Sequence, residues 1–180
     1  MKQFFSLLLV IASLTGFSQE VNLDKVRSLY FSMDTDLSAV LKLSRLLDAK
    51  KQTSETVLMA YRGASSAASA GVVDGVQNKF SCFSKGKTDL EQAVRLNPEN
   101  PEIRFLRLAT QTNTPGFLFY KMNIREDKKI VLEGLPRLLS SEEDHSLALN
   151  MARFLLKFDS LTGREKQLVN QLRLRYERNN

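Results

Sequence analysis

From Leu23 almost to the end of the chain, apolar side chains return every three or four residues, the spacing that gathers them into one stripe of a helix. Little interrupts that rhythm. Only 8 glycines and 4 prolines are spread over 180 residues, too few for the turn-rich connections of a β-sandwich. With 43% apolar and 26% charged residues the chain has enough carbon to bury one sizeable core, so a single all-α domain is expected over residues 19–180.

The first 18 residues read as an address outside that domain. Lys2 precedes an apolar run from Phe4 to Leu14, and Gly16 and Ser18 flank Phe17, the pattern of a secretory signal peptide cleaved after about Ser18. A membrane anchor fits less well, because about eleven residues at ~1.5 Å each fall short of a ~30 Å hydrocarbon layer. No later stretch is long enough either, so no stable membrane insertion is expected. The reading is a periplasmic or secreted protein, soluble after cleavage. Lys2 is the one charged residue removed, and the remaining chain keeps a balance of +5 from the +6 of the whole. That charge is mild and scattered, and a nucleic-acid partner is not expected. The chain has one cysteine, Cys82, so it cannot close an intramolecular disulfide. Packing alone must hold it together, with Cys82 read as a small buried residue between Phe80 and Phe83.

The helices follow in order. Val26, Leu29, Tyr30 and Met33 mark the first; Leu37, Val40, Leu41, Leu43, Leu46 and Leu47 mark a second, capped by Asp34 or Asp36 and reaching about Ala49. Thr53 or Ser54 can cap a third, whose end, AYRGASSAASAG over residues 60–71, carries almost no bulk and would let another helix come close. A connection from Gly71 to Phe83 then leads to a fourth helix over about Lys87–Leu96. Gly86, Lys87 and Thr88 have the ending of a phosphate-binding loop, but Ser81 stands where its first glycine belongs and no strand precedes it. Pro98 and Pro101 end the fourth helix and open a fifth running to about Gln111, with Ile103, Phe105, Leu106, Leu108 and Ala109 giving an apolar surface that needs cover on more than one side.

Gly86, Leu90, Ala93 and Pro98 stand in the order small-x3-large-x2-Ala-x4-Pro, which resembles the second helix and closing turn of a tetratricopeptide repeat, and LNPENPE at residues 96–102 is similar to that repeat's link. The resemblance covers one hairpin, about residues 54–112. The whole chain also resembles small exported helical proteins of bacteria with AYxGA and LNPxNPEIRFLR segments, which lend no activity. It implies antiparallel helical hairpins in a divergent repeat-like bundle or short superhelix.

Phe117, Leu118, Phe119 and Tyr120 follow Pro115 and Gly116, and four large apolar residues in a row cannot all face one way. They form either a core plug or a partly exposed patch for a partner, in which Phe117, Phe119 and Tyr120 are the candidate contacts. A sixth helix through Ile130, Val131 and Leu132 is expected to stop at Gly134 and Pro136; Ser141 with Asp144 caps a seventh, and Thr162 or Ser160 caps the last. That last helix is basic. Its cations suit a helix C-terminus, or they meet an acidic partner or anionic envelope surface, with Arg173 and Arg175 the candidates.

Catalytic inventories are thin. Glu142 and His145 have half the spacing of a di-iron motif, but His145 is the only histidine, so no metal set and no cofactor are expected. The function expected is a non-enzymatic protein-interaction scaffold with an unnamed protein partner and an open oligomeric state. Its alternatives are a carboxylate-dependent envelope enzyme and an anionic-surface binder using the basic C-terminal helix. N-terminal sequencing of the exported product should read from Gln19, and a product that still begins at Met1 overturns the leader.

Overall fold

The structure, a computed structural model, describes residues 21–48, 55–159 and 161–177. The proposed leader, the Thr53 and Ser54 caps and the Ser160 cap lie outside the described residues. Among those described, eight α-helices pack on one another: α1 (Leu23–Ser32), α2 (Leu37–Asp48), α3 (Thr56–Ser69), α4 (Val76–Leu96), α5 (Pro101–Asn113), α6 (Ile124–Ser140), α7 (His145–Leu156) and α8 (Gly163–Glu177). Each helix contacts the next in sequence, and α1 with α3, α3 with α5, and α6 with α8 pack as second neighbours. One continuous core of Leu, Val, Phe and Ala runs through all eight. No helix among the described residues is long and apolar enough to cross a membrane.

The local chemistry of the helix starts is conventional. Asn22 and Asn100 accept from backbone N–H groups of the first turns of α1 and α5, and Asp36 accepts from Ser38 N at 2.8 Å. Thr162 and Glu165 bond reciprocally across the start of α8, a capping box.

Two boundaries differ from the sequence reading. The fourth helix begins at Val76, so the turn after α3 is short and α4 is 21 residues long. Gly75 makes that early start possible, with φ +82 in the left-handed region. Helix α6 does not stop at Gly134 and Pro136 but runs through both to Ser140. Pro136 costs the helix one backbone donor, yet Leu135, Leu138 and Leu139 continue the buried stripe past it. Gly134 has a packing role instead: a methyl group there would lie 2.6 Å from Pro101 Cβ, so glycine lets α6 close onto the start of α5.

The small-residue end of α3 lies against α4. A methyl group at Gly86 would sit 2.5 Å from both the Ala67 nitrogen and the Gly63 carbonyl oxygen, and one at Gly63 would sit 2.8 Å from the Gly86 carbonyl oxygen. Backbone therefore meets backbone at this crossing. The serines between the alanines are buried and satisfied within the pair: Ser65 donates to Arg62 O, Ser69 to Ser65 O, and Ser66 across to Cys82 O at 3.1 Å.

Gly86→Ala should destabilise the protein by about 1–3 kcal/mol in chemical denaturation, because the added carbon must separate two backbones. Gly163→Ala, with nothing within 4 Å, should be neutral within about 0.5 kcal/mol.

Candidate functional site

An apolar groove of about 970 Å³ opens among α1, α3, α4, α5 and α7. Its floor is the alanine face of α3, with Ala64, Ala67 and Ala68, joined by Ala109 of α5. Tyr30, Phe31, Phe105 and Phe154 line the groove as a continuous run of rings: Tyr30 meets Phe31 at 5.3 Å, Phe31 meets Phe105 at 5.8 Å, and Phe105 meets Phe154 at 5.2 Å. Behind them the buried Tyr61 meets Tyr30 edge-on at 5.4 Å. Offset and edge-to-face geometry at these distances is attractive beyond the area it buries. Phe80 and Phe83 of α4 form the facing wall. At the mouth, Leu37, Val76, Phe80 and Phe117 are exposed by 63–83%.

Each wall is tied to a buried polar cluster on α5. The Tyr61 hydroxyl donates to Glu102 Oε1 at 2.7 Å, Arg27 grips both oxygens of Glu102 at 2.8 Å, and the same guanidinium reaches Asp144 at 2.9 Å. Four helices, α1, α3, α5 and α7, meet there. On the other side Tyr120 stacks edge-on against Phe83 at 5.8 Å and donates to Glu91 Oε1 at 2.8 Å. Glu91 accepts from Arg107, which with Arg104 surrounds the fully buried Asp127 through three bonds of 2.8 Å. Arg104 also reaches Glu126 and the Pro98 carbonyl. Bidentate guanidinium–carboxylate pairs of this kind are directional, so they fix the angle between helices as well as neutralise buried charge.

The expected contacts separate. Phe117 reaches the groove mouth, whereas Phe119, 84% exposed, stands beside it with φ +49, an uncommon backbone for a bulky residue. Tyr120 does not belong to an exposed patch: it is 4% exposed, turned inward because its hydroxyl finds Glu91 and its ring finds Phe83. Neither C-terminal arginine lines the groove, although Arg173 shares Glu177 with Arg153 at its edge. Arg173 bonds Glu177 and Asn170, and the Arg175 guanidinium lies 5.9 Å over the Tyr176 ring.

Cys82 is only partly buried, with Phe83 beside it in the core and Phe80 exposed. His145 Nδ1 lies 2.9 Å from the Leu139 carbonyl, and Asp144 beside it is held by Arg27, so that turn is partly built into the core. No group of three or more His, Cys, Asp and Glu among the described residues is arranged to hold a metal.

The groove itself was not legible as a groove. Tyr30, Phe105 and Phe154 each read as one more apolar stripe residue; the signal available was a surplus of rings on α1, α5 and α7 beside a helix whose last turns are alanine and serine.

The tyrosines give a pH signature. Burial raises the phenols of Tyr30, Tyr61 and Tyr120 above the ordinary value of 10.0, with Glu102 and Glu91 reinforcing the last two. Unfolded phenols ionise near pH 10 while these keep their protons, so the native state binds more protons and its stability should fall as pH rises above about 10. Tyr120→Phe should flatten that decline by up to about 1.4 kcal/mol per pH unit, and an unchanged slope would show that Tyr120 ionises freely in the native protein.

No family model, curated protein or solved structure matches this chain.

Proposed function

We propose that the chain is an exported, non-enzymatic protein-interaction module, its hairpins stacked in the manner of tetratricopeptide units, and that the apolar groove holds its partner. The observation that carries the proposal is the groove's make-up. Rings and alanines line it, and among its lining residues Leu37, Val76, Phe80 and Phe117 are exposed. Apolar residues clustered at the rim of a concavity mark a surface that another molecule covers. An enzyme pocket converges titratable groups on a reacting atom. Here the charged residues of the groove, Asp34, Lys79, Arg153 and Lys157, stand exposed at its edge, and the rest of its lining is mostly carbon with the uncharged hydroxyls and amides of Thr110, Thr114, Asn113 and Asn150.

Export is supported by the leader pattern of residues 1–18, and the repeat-like stacking by the spacing of Gly86, Leu90, Ala93 and Pro98. The rigid support of both walls favours recognition, since a preformed site binds without the cost of ordering its own side chains.

Ala68 lies on the floor and is only half-buried, so Ala68→Phe should fill the trough while leaving the α3–α4 crossing at Gly63 and Gly86 intact. Immobilised exported protein should capture a partner from envelope extract that Ala68→Phe, checked by circular dichroism to be folded, fails to capture. Equal capture by both forms, or capture by neither, overturns the reading.

A further inference from the structure

We infer that the groove's occupant is an acidic amphipathic helix of a partner protein, its apolar face on the aromatic wall and its carboxylates against the cationic rim; this rests on the interaction reading above. Shape gives the first half. A trough of about 970 Å³ lined by rings of α1, α5 and α7 and by alanines of α3 offers the apolar contact surface that takes residues at i, i+3, i+4 and i+7 of a helix, the helix-in-groove mode. The exposed apolar rim argues for something wider than a small ligand, because a molecule lying wholly inside the trough would leave Leu37, Val76 and Phe117 still in water.

Charge gives the second half. Lys79 in the first turn of α4, Arg153 in the last turn of α7 and Lys157 just beyond it stand at the edge, against Asp34 as the single acid. Arg153 already bonds Glu177 at 3.0 Å, but Lys79 and Lys157 have no carboxylate within 4.0 Å among the described residues. Two unpaired ammonium groups beside an apolar trough attract a partner that brings carboxylates and repel one that brings cations. A second copy of this chain is disfavoured for that reason: without residues 1–18 it still carries a net charge of +5 and would set lysine against lysine.

Two synthetic helical peptides of about 15 residues, identical on the apolar face and flanked by either Glu or Lys, distinguish the cases by fluorescence anisotropy with the exported protein. The Glu peptide should bind at least about tenfold more tightly at low salt, the gap should close as salt screens the rim, and Lys79→Glu with Lys157→Glu should reverse the preference. Ala68→Phe should abolish binding. Equal binding of both peptides, still blocked by Ala68→Phe, sinks the acidic-partner assignment and leaves the interaction groove standing. Binding of a fluorescent long-chain carboxylate with neither peptide, or binding of none of the three, sinks both. A concentration-dependent dimer lost in Ala68→Phe assigns the groove to a second copy and overturns the acidic helix.

Discussion

Helix α5 is buried from Pro101 to Ala109, and most of the structure follows from that confinement. A helix buried all round is ordinarily apolar all round, yet α5 carries Glu102, Arg104, Arg107 and Gln111, all at most 5% exposed. An unpaired charge in such a place would cost several kcal/mol, so each ion must meet counter-ions from the helices around it. Those counter-ions come from α1, α4 and α6: Arg27 for Glu102, Glu91 for Arg107, and Glu126 and Asp127 for the arginines, while Asp144 beside the start of α7 holds Arg27 from behind. Apolar contacts supply the bulk of the driving force but tolerate sliding, whereas forked guanidinium bonds do not. The neighbours of α5 are thereby fixed in register as well as in contact.

The sequence made some of this readable, and the reason differs from helix to helix. The start of α5 was legible because Asn100 and Pro101 are strong local signals that act within one turn. The close approach at the end of α3 was legible because a missing side chain is itself a statement about spacing. The true start of α4 was not, since Val76–Gly86 holds Gln, Asn, Lys and Ser with few apolar residues, and its helicity depends on α3 lying alongside. The passage of α6 through Gly134 and Pro136 was hidden for the opposite reason: two breakers argued locally for a stop, and tertiary burial of Leu135, Leu138 and Leu139 overrode them.

Charged residues were the least legible. Arg27, Glu102 and Tyr61 are separated by up to 75 positions, and nothing in their neighbourhoods distinguishes them from surface residues. Their pairing exists only after the helices are packed. The same holds for the groove, whose rings come from α1, α4, α5 and α7 and whose emptiness of bulk comes from α3.

Tyr61 and Tyr120 tie the two sides of the trough to arginine–carboxylate clusters on one shared helix. Its width is therefore inherited from the innermost part of the molecule. A guest that needed the trough a little wider would have to stretch several charge-assisted bonds at once, a stiff spring compared with a shifting aromatic side chain. If the trough is the binding groove proposed above, it selects by calibre: it admits what already fits and deforms very little for what does not.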